Sequence, residues 1–277
     1  MRIAITGGNS NLGKKLIKYY LKKKYKVFCL SGTLKPMYLK NIKIFFYNNN
    51  NPIDKNFFIQ NKISILIMCS HDRSDINLKN NLNINSTLKI VDAAKKTVNK
   101  IIYISSIAAS DIAQSNYGKI KFSIENKINK YVTIIRPGMF FENKKCEPID
   151  KLFTIIKSLK FFPFKINEAY NINFVEINEL TQKIFEISQE NTIAKYIIIN
   201  KFKINLKNIL QIYCLKNKTS IYYLPVPFIF FHFIFKFLKP IQFIYRKIDP
   251  IYNIVHQPIF EKNKEFKFLH TKTNYND

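Results

Sequence analysis

Apolar residues along the first half of the chain fall into short, nearly unbroken runs: Ile3–Thr6, Lys26–Leu30, Ile42–Tyr47, Ser64–Cys69, Ile101–Ser105 and Val132–Ile135. Runs this short and this apolar predict strands buried on both faces, as in a parallel sheet covered by helices. Between them, Leu12–Lys24, Ile76–Thr97 and Tyr117–Lys130 carry apolar positions at helical spacing and supply the crossovers. Asn48-Asn49-Asn50-Asn51-Pro52 reads as a solvated loop. The expected fold class is therefore α/β, a doubly wound parallel sheet.

After Arg136-Pro137-Gly138 the alternation loosens. Helices are expected over Asp150–Leu159, Ile177–Ser188 and Leu206–Lys216, with short strands at Tyr196–Ile199 and Ile221–Leu224. The domain reading that follows is a nucleotide-binding domain over 1–137 and a smaller mixed lobe over 138–277, set over the carboxyl ends of the sheet, where open α/β sheets take ligands. Residues 225–248 hold the aromatic run Phe228-Ile229-Phe230-Phe231-His232-Phe233-Ile234-Phe235, flanked by Lys236, Lys239, Arg246 and Lys247. The run is too short to span a bilayer. It reads either as a helix buried in the small lobe or as an interfacial segment with its cations at the headgroups.

Composition narrows the function. The chain has 277 residues, 47% of them hydrophobic, which is ample for a core. The net charge of +27 invites a polyanion, but the excess is almost all Lys spread along the chain, and Arg occurs at positions 2, 73, 136 and 246 only. Nucleic-acid readers concentrate Arg and Lys on one element, so nucleic acid is disfavoured as a ligand. The four cysteines form no C-x-x-C pair, which points away from zinc and from a disulfide framework; no metal site is expected. Without an N-terminal apolar h-region the expectation is a cytoplasmic protein, in peripheral contact with the inner face of the membrane on the interfacial reading of 225–248.

Two segments carry chemistry. Strand Arg2-Ile3-Ala4-Ile5-Thr6 runs into Gly7-Gly8-Asn9-Ser10-Asn11-Leu12-Gly13 and then a Lys-rich helix. Glycines let a backbone approach phosphates closely, and a helix N-terminus beyond them offers N–H groups and partial positive charge. Tyr117-Gly118-Lys119-Ile120-Lys121 sets a phenol and an ammonium four apart on one helix face. Bringing a phenol from about pH 10 toward neutrality takes roughly 4 kcal/mol of help of the kind a nearby cation gives. Tyr19/Lys23 and Tyr20/Lys24 match the same spacing. Position separates them: Tyr117 follows a buried strand that ends in Ser105-Ser106, whereas Tyr19 and Tyr20 sit late in the first helix and are expected to serve surface or packing.

In this order the motifs resemble the extended short-chain dehydrogenase/reductase family, in its NAD-dependent epimerase/dehydratase branch acting on nucleotide sugars. Thr6–Gly13 is similar to T-G-x-x-G-x-x-G, Tyr103-Ile104-Ser105-Ser106 to the strand-end serine, and Tyr117–Lys121 to Y-x-x-x-K. Asn83-Ile84-Asn85-Ser86-Thr87 resembles N-x-x-G-T, Ile134–Gly138 the R-P-G segment, and Phe174–Leu180 V-H-V-x-D-L. The likeness covers about the first 190 residues. It implies a Rossmann-type sheet with a small C-terminal substrate-binding lobe. It also implies that Ser106 holds the reacting oxygen, that Tyr117 is the acid/base, and that Lys121 binds the nicotinamide ribose and lowers the Tyr117 pKa. Gly7, Ser10, Asn11, Leu12 and Gly13 would surround the pyrophosphate, with Ser31 at the adenosine ribose. Cys69, Ser70 and Asn83 would line the ribose and nicotinamide side. Pro137 would border the nicotinamide, and Gly138 and Met139 the sugar, beside Ser106 and Tyr117. The implied activity is an NAD(P)-dependent epimerase or reductase of a nucleotide-linked or lipid-linked sugar, through a 4-keto intermediate, in surface polysaccharide synthesis. A homodimer is compatible with it.

Departures from the pattern support an alternative, a catalytically silent NAD(P)-binding assembly or regulatory protein of the same fold. Ser10 replaces the middle glycine, removing freedom at a tight approach, although a small side chain can be accommodated. The second strand ends Leu30-Ser31-Gly32-Thr33 without an acidic residue, and Lys35 follows, a combination that leans toward NADP over NAD. Asn48 or Asn49 stands where the family has Asp, and Cys69-Ser70-His71 where it has Ala-Ala; His71 there is either solvated or in touch with cofactor or substrate.

Overall fold

The computed structural model describes residues 1–32, 42–47, 53–72, 78, 80–143, 145–159, 161–162, 171–202, 204–218, 220, 222–223, 233 and 265–273. Lys35, Asn48, Asn49 and, apart from Phe233, the segment 225–248 lie outside them. In chain order the elements are β1 (Arg2–Thr6), α1 (Asn11–Lys22), β2 (Lys26–Ser31), β3 (Ile42–Phe46), α2 (Lys55–Gln60), β4 (Ile65–Met68), α3 (Leu82–Ala94), β5 (Lys100–Ile104), α4 (Asn116–Ile128), β6 (Thr133–Pro137), β7 (Met139–Phe141), α5 (Glu147–Leu159), β8 (Phe161–Phe162), β9 (Asn171–Ile172), β10 (Phe174–Glu176), α6 (Ile177–Ser188), β11 (Lys195–Asn200), β12 (Ile204–Asn205), α7 (Leu206–Asn217), β13 (Tyr222–Tyr223) and β14 (Phe266–Thr271).

Eight strands form one sheet in the order β14-β11-β6-β5-β4-β1-β2-β3, and every pairing within it is parallel. The two-residue period of a strand sorts its apolar run between two helical layers. Ile3, Ile5, Val27, Cys29, Ile65 and Ile67 pack with Leu12, Leu16, Ile17 and Tyr20 of α1 and Leu180, Ile184 and Ile187 of α6. Ala4, Phe28, Leu30, Leu66, Met68 and Tyr103 face the other way, onto Phe58 of α2, Ile90 and Val91 of α3, and Ile120, Ile124 and Ile128 of α4. Full burial of each such side chain contributes about 1.5–3 kcal/mol. Tyr20 is a packing residue, as its place late in α1 predicts: its ring is wholly buried and its hydroxyl donates to Ser188 Oγ at 2.7 Å, tying α1 to α6.

The sheet draws on both sides of residue 137, since β11 and β14 extend it beyond β6. The remaining short strands pair separately: β7 with β10 in parallel, β9 with β12 antiparallel, and β8 with β13 in parallel. One helix starts later than the sequence predicts. Ile76, Asn77 and Lys79 lie outside the described residues, Leu78 and Asn80 are not helical, and α3 begins at Leu82, where Asn81 caps it by accepting from the backbone N–H groups of Asn83 and Ile84.

The chain runs from β1 outward through β2 to β3, then returns to the far side of β1 to form β4. Strand order therefore reverses between β1 and β4, and the carboxyl ends of strands at such a reversal are where open α/β sheets take ligands.

Candidate functional site

The sequence-predicted residues converge on that edge. Gly7 leaves β1 with φ +67°, a conformation that favours glycine. A Cβ on it would stand 2.7 Å from the Ser70 nitrogen at the end of β4, and one on Gly13 would stand 2.3 Å from the Gly7 carbonyl oxygen. The turn is thus closed against β4 by contacts that only hydrogen permits. Ser10 stands in this turn without strain. Its φ of −71° is ordinary for any residue, and its hydroxyl accepts from Gly13 N at 3.0 Å, so it caps α1. The serine is a helix cap and not a strained substitute for glycine. Beyond it, helix geometry gives the first-turn N–H groups of Asn11 and Leu12 no intrahelical acceptor.

Thr6 Oγ1, at the end of β1, accepts from the backbone N–H groups of Cys69 and Ser70 at 3.1 and 3.2 Å and lies 3.0 Å from Ser70 Oγ. Tyr47, just past β3, donates to Ser70 Oγ at 3.0 Å. Ser70 therefore spends its hydroxyl on Thr6 and Tyr47, at the carboxyl ends of β1 and β3. Ser31 is buried at the end of β2 and its hydroxyl accepts from the Asn9 side chain at 3.1 Å; both groups are neutral. Burial pushes the Cys69 thiol up to about 12, with the Lys121 charge acting in the opposite direction.

Asn83, at the first turn of α3, is only 7% exposed. Its Oδ1 accepts from Asp72 N at 2.6 Å and its Nδ2 donates to Asp72 O at 3.0 Å. The amide expected along the cofactor is committed to gripping the peptide that follows His71. In turn, the His71 ring meets the Tyr117 ring edge to face, centroids 5.0 Å apart and planes at 86°. His71 faces the site.

Ser106 follows β5, and its hydroxyl accepts from Ala108 N at 3.1 Å, which leaves its own proton to donate. Helix α4 is capped by Ser115, whose hydroxyl accepts from Gly118 N at 3.0 Å. Tyr117 lies in the first turn of that helix. Lys121 is 3% exposed; its ammonium donates to the Ile104 carbonyl at 2.9 Å and lies 4.7 Å from the Tyr103 ring centroid and 6.0 Å from that of Tyr117. One turn further on, Glu125 accepts a forked pair of bonds from Arg136 of β6, at 2.9 Å from Nε and 2.6 Å from Nη2, with both residues buried. The Tyr117, Lys121 and Glu125 face of α4 is thereby fixed to β5 and β6 by charge-assisted bonds. Pro137 ends β6, and Gly138, where a Cβ would meet the Asn173 carbonyl oxygen at 2.6 Å, passes the chain to Met139 at the start of β7.

Sequence reading missed the Glu125–Arg136 pair and the Asn83–Asp72 clamp. The first carried a signal: an Arg inside the apolar run Ile134-Ile135-Arg136 demands a buried partner, and Glu125 continues the four-residue spacing of Tyr117 and Lys121.

No protein-family model matches the sequence, and no curated protein matches it. The fold has many solved counterparts. MoeE5 in complex with UDP-glucose and NAD superposes with a TM-score of 0.66 at 11% identity, over 82% of this chain and 86% of that one. UDP-glucose 4-epimerase of Thermus thermophilus in complex with NAD gives 0.62 at 14%, over 82% and 86%. The Bordetella bronchiseptica enzyme WbmG, in complex with NAD and UDP, gives 0.64 at 12%, over 81% of each chain. The chain has the Rossmann-type fold of these solved structures.

Proposed function

We propose that the protein is an NAD(P)-dependent epimerase or reductase of a nucleotide-linked sugar. Its phenol Tyr117, ammonium Lys121 and hydroxyl Ser106 stand on adjoining segments at the carboxyl edge, across from a glycine turn. That grouping is the observation that carries the reading. The cradle fits a dinucleotide: Gly7 and Gly13 let the turn close tightly on β4 and on its own backbone, and Asn11 and Leu12, at the first turn of α1, offer N–H groups to a pyrophosphate.

The nicotinamide group would supply hydride exchange at a sugar carbon. The chain's own residues do the rest. Tyr117 takes the proton from the sugar hydroxyl as it becomes a carbonyl, at C4 in this reading, and returns it on reduction. Ser106 donates its free proton to the same oxygen. Lys121, anchored to the Ile104 carbonyl, holds positive charge near the phenol and favours its ionised form. Gly138 and Met139 border the sugar. Ser31 and Asn9 offer neutral groups to the adenosine ribose, so discrimination between NAD and NADP, with the sequence leaning to the latter, is a matter for direct binding. A lipid-linked sugar and a place in surface polysaccharide synthesis belong to the same proposal.

Turnover of a panel of nucleotide sugars by Tyr117→Phe tests it. General acid–base catalysis is worth about 10²–10⁴-fold, and a loss of that size with unchanged thermal stability is expected. Full turnover in the variant overturns the assignment. Nicotinamide that stays bound through gel filtration favours the epimerase over the reductase.

A further inference from the structure

One group at the carboxyl edge has no part in that chemistry. His71 lies against the phenol ring of Tyr117, edge to face at 5.0 Å, and the two rings are held by separate, rigid pieces of the fold. On the histidine side, the buried Asn83 amide grips both the N–H and the carbonyl of Asp72, and α3 itself is fixed by its Asn81 cap. On the tyrosine side, α4 is capped by Ser115 and pressed onto the loop at Ala108. Lys121 approaches the same phenol ring at 6.0 Å.

We propose that His71 is a positioning residue for Tyr117, fixing the orientation of its ring and, by gaining or losing a proton, adjusting how readily the phenol ionises. The inference rests on the reading of Tyr117 as proton carrier. An imidazole is the side chain whose ordinary pKa, about 6.5, lies where a cytoplasmic reaction runs. An imidazolium beside the ring adds to the Lys121 charge and favours phenolate; a neutral imidazole withdraws that help, and the two groups titrate as a coupled pair. Among the described residues, the other titratable groups around them include Lys121 from α4, Tyr103 from β5, Tyr47, which donates to Ser70, and Cys69 and Asp72 from the loop of His71 itself. Burial holds the Cys69 thiol at about 12 and the Tyr103 phenol well above its usual range, so both stay protonated while the imidazole titrates.

The test is an NMR titration of the full chain carrying ¹³Cζ-labelled tyrosine, from pH 5 to 9, with the Tyr117 signal assigned by its loss in Tyr117→Phe. The wild-type Tyr117 signal is expected to move with an inflection at the imidazole pKa. His71→Phe, which keeps a ring on Tyr117 and removes the proton, should abolish that inflection, and His71→Gln should do the same. In parallel, the ratio of kcat at pH 8 to kcat at pH 6 should change several-fold in His71→Phe with KM unmoved. A wild-type Tyr117 signal flat over this range, or the same inflection in His71→Phe, overturns the role of His71. Because the titration needs no turnover, it separates from the parent reading: flat titration with an inactive Tyr117→Phe refutes His71 alone, while full activity of Tyr117→Phe refutes the proton carrier.

Discussion

A Cβ built on Gly118 would stand 2.4 Å from the carbonyl oxygen of Ala108. The helix that bears Tyr117 and Lys121 therefore begins in direct contact with the turn that follows Ser106, an approach that the absence of a side chain on Gly118 permits. Gly118→Ala must push the two apart. Overpacking of this kind costs about 1–3 kcal/mol, and for a chain of this size each kcal/mol lowers Tm by roughly 2–4 °C. Turnover should fall further than stability does, because a small misplacement of a proton carrier costs rate steeply. Wild-type kcat in Gly118→Ala, measured alongside Tm, would contradict this account.

The forked Arg136–Glu125 pair makes a second prediction. With both side chains at 5% exposure or less, Glu125→Gln leaves a buried guanidinium without its counter-charge, and such losses run to about 3–5 kcal/mol. Arg136 also lies over the Phe266 ring at 4.3 Å, so the arginine helps hold β14 as well as α4. The double variant Glu125→Leu/Arg136→Met removes both charges and should recover most of the lost stability in urea denaturation. A double variant as unstable as the sum of the singles would show no coupling between the two residues and would contradict this account.

Ser10 gives a third. Because its φ is ordinary and its role is to cap α1, Ser10→Gly should cost a few tenths of a kcal/mol and Ser10→Ala about 1 kcal/mol. Neither should tighten the binding of NAD or NADP. Calorimetric titration checks this, and tighter binding to Ser10→Gly would restore the view that serine obstructs the phosphate turn.

The central strands of the first half were legible because buried parallel strands are apolar on both faces, as the wholly buried run Ile65–Met68 is; the edge strand β3 is only partly buried. The edge strand β14 was not, since Phe266–Thr271 mixes Lys267 and His270 with apolar residues and lies largely open to solvent. The start of α3 at Leu82 was not legible because the polar sequence before it has no periodicity, and the Asn81 cap marks the boundary. At the site, local spacing revealed Tyr117 and Lys121. The meeting of His71 with Tyr117, and the grip of Asn83 on Asp72, join residues from different elements, and no local pattern encodes them.

Alkaline pH should unfold the protein more readily than neutral pH. Burial raises the pKa of the thiols of Cys29, Cys69 and Cys146, the latter two to about 12, and of the phenols of Tyr20, Tyr47, Tyr103 and Tyr196, the last to about 12. Unfolded thiols lose their protons near about 8.5 and unfolded phenols near about 10. Between those values and the folded ones the native state holds more protons than the unfolded state, so stability falls as pH rises. Lys100 opposes the trend, because burial lowers its pKa and makes the native state hold fewer protons just below its usual value; it is one group against seven. Tm measured at constant ionic strength should therefore decline steadily from about pH 8.5 upward, starting with the thiols. Cys146→Ala, at a wholly buried site, should flatten the first part of that decline. A Tm that holds level or climbs to pH 11 would show that these buried groups are reached by water.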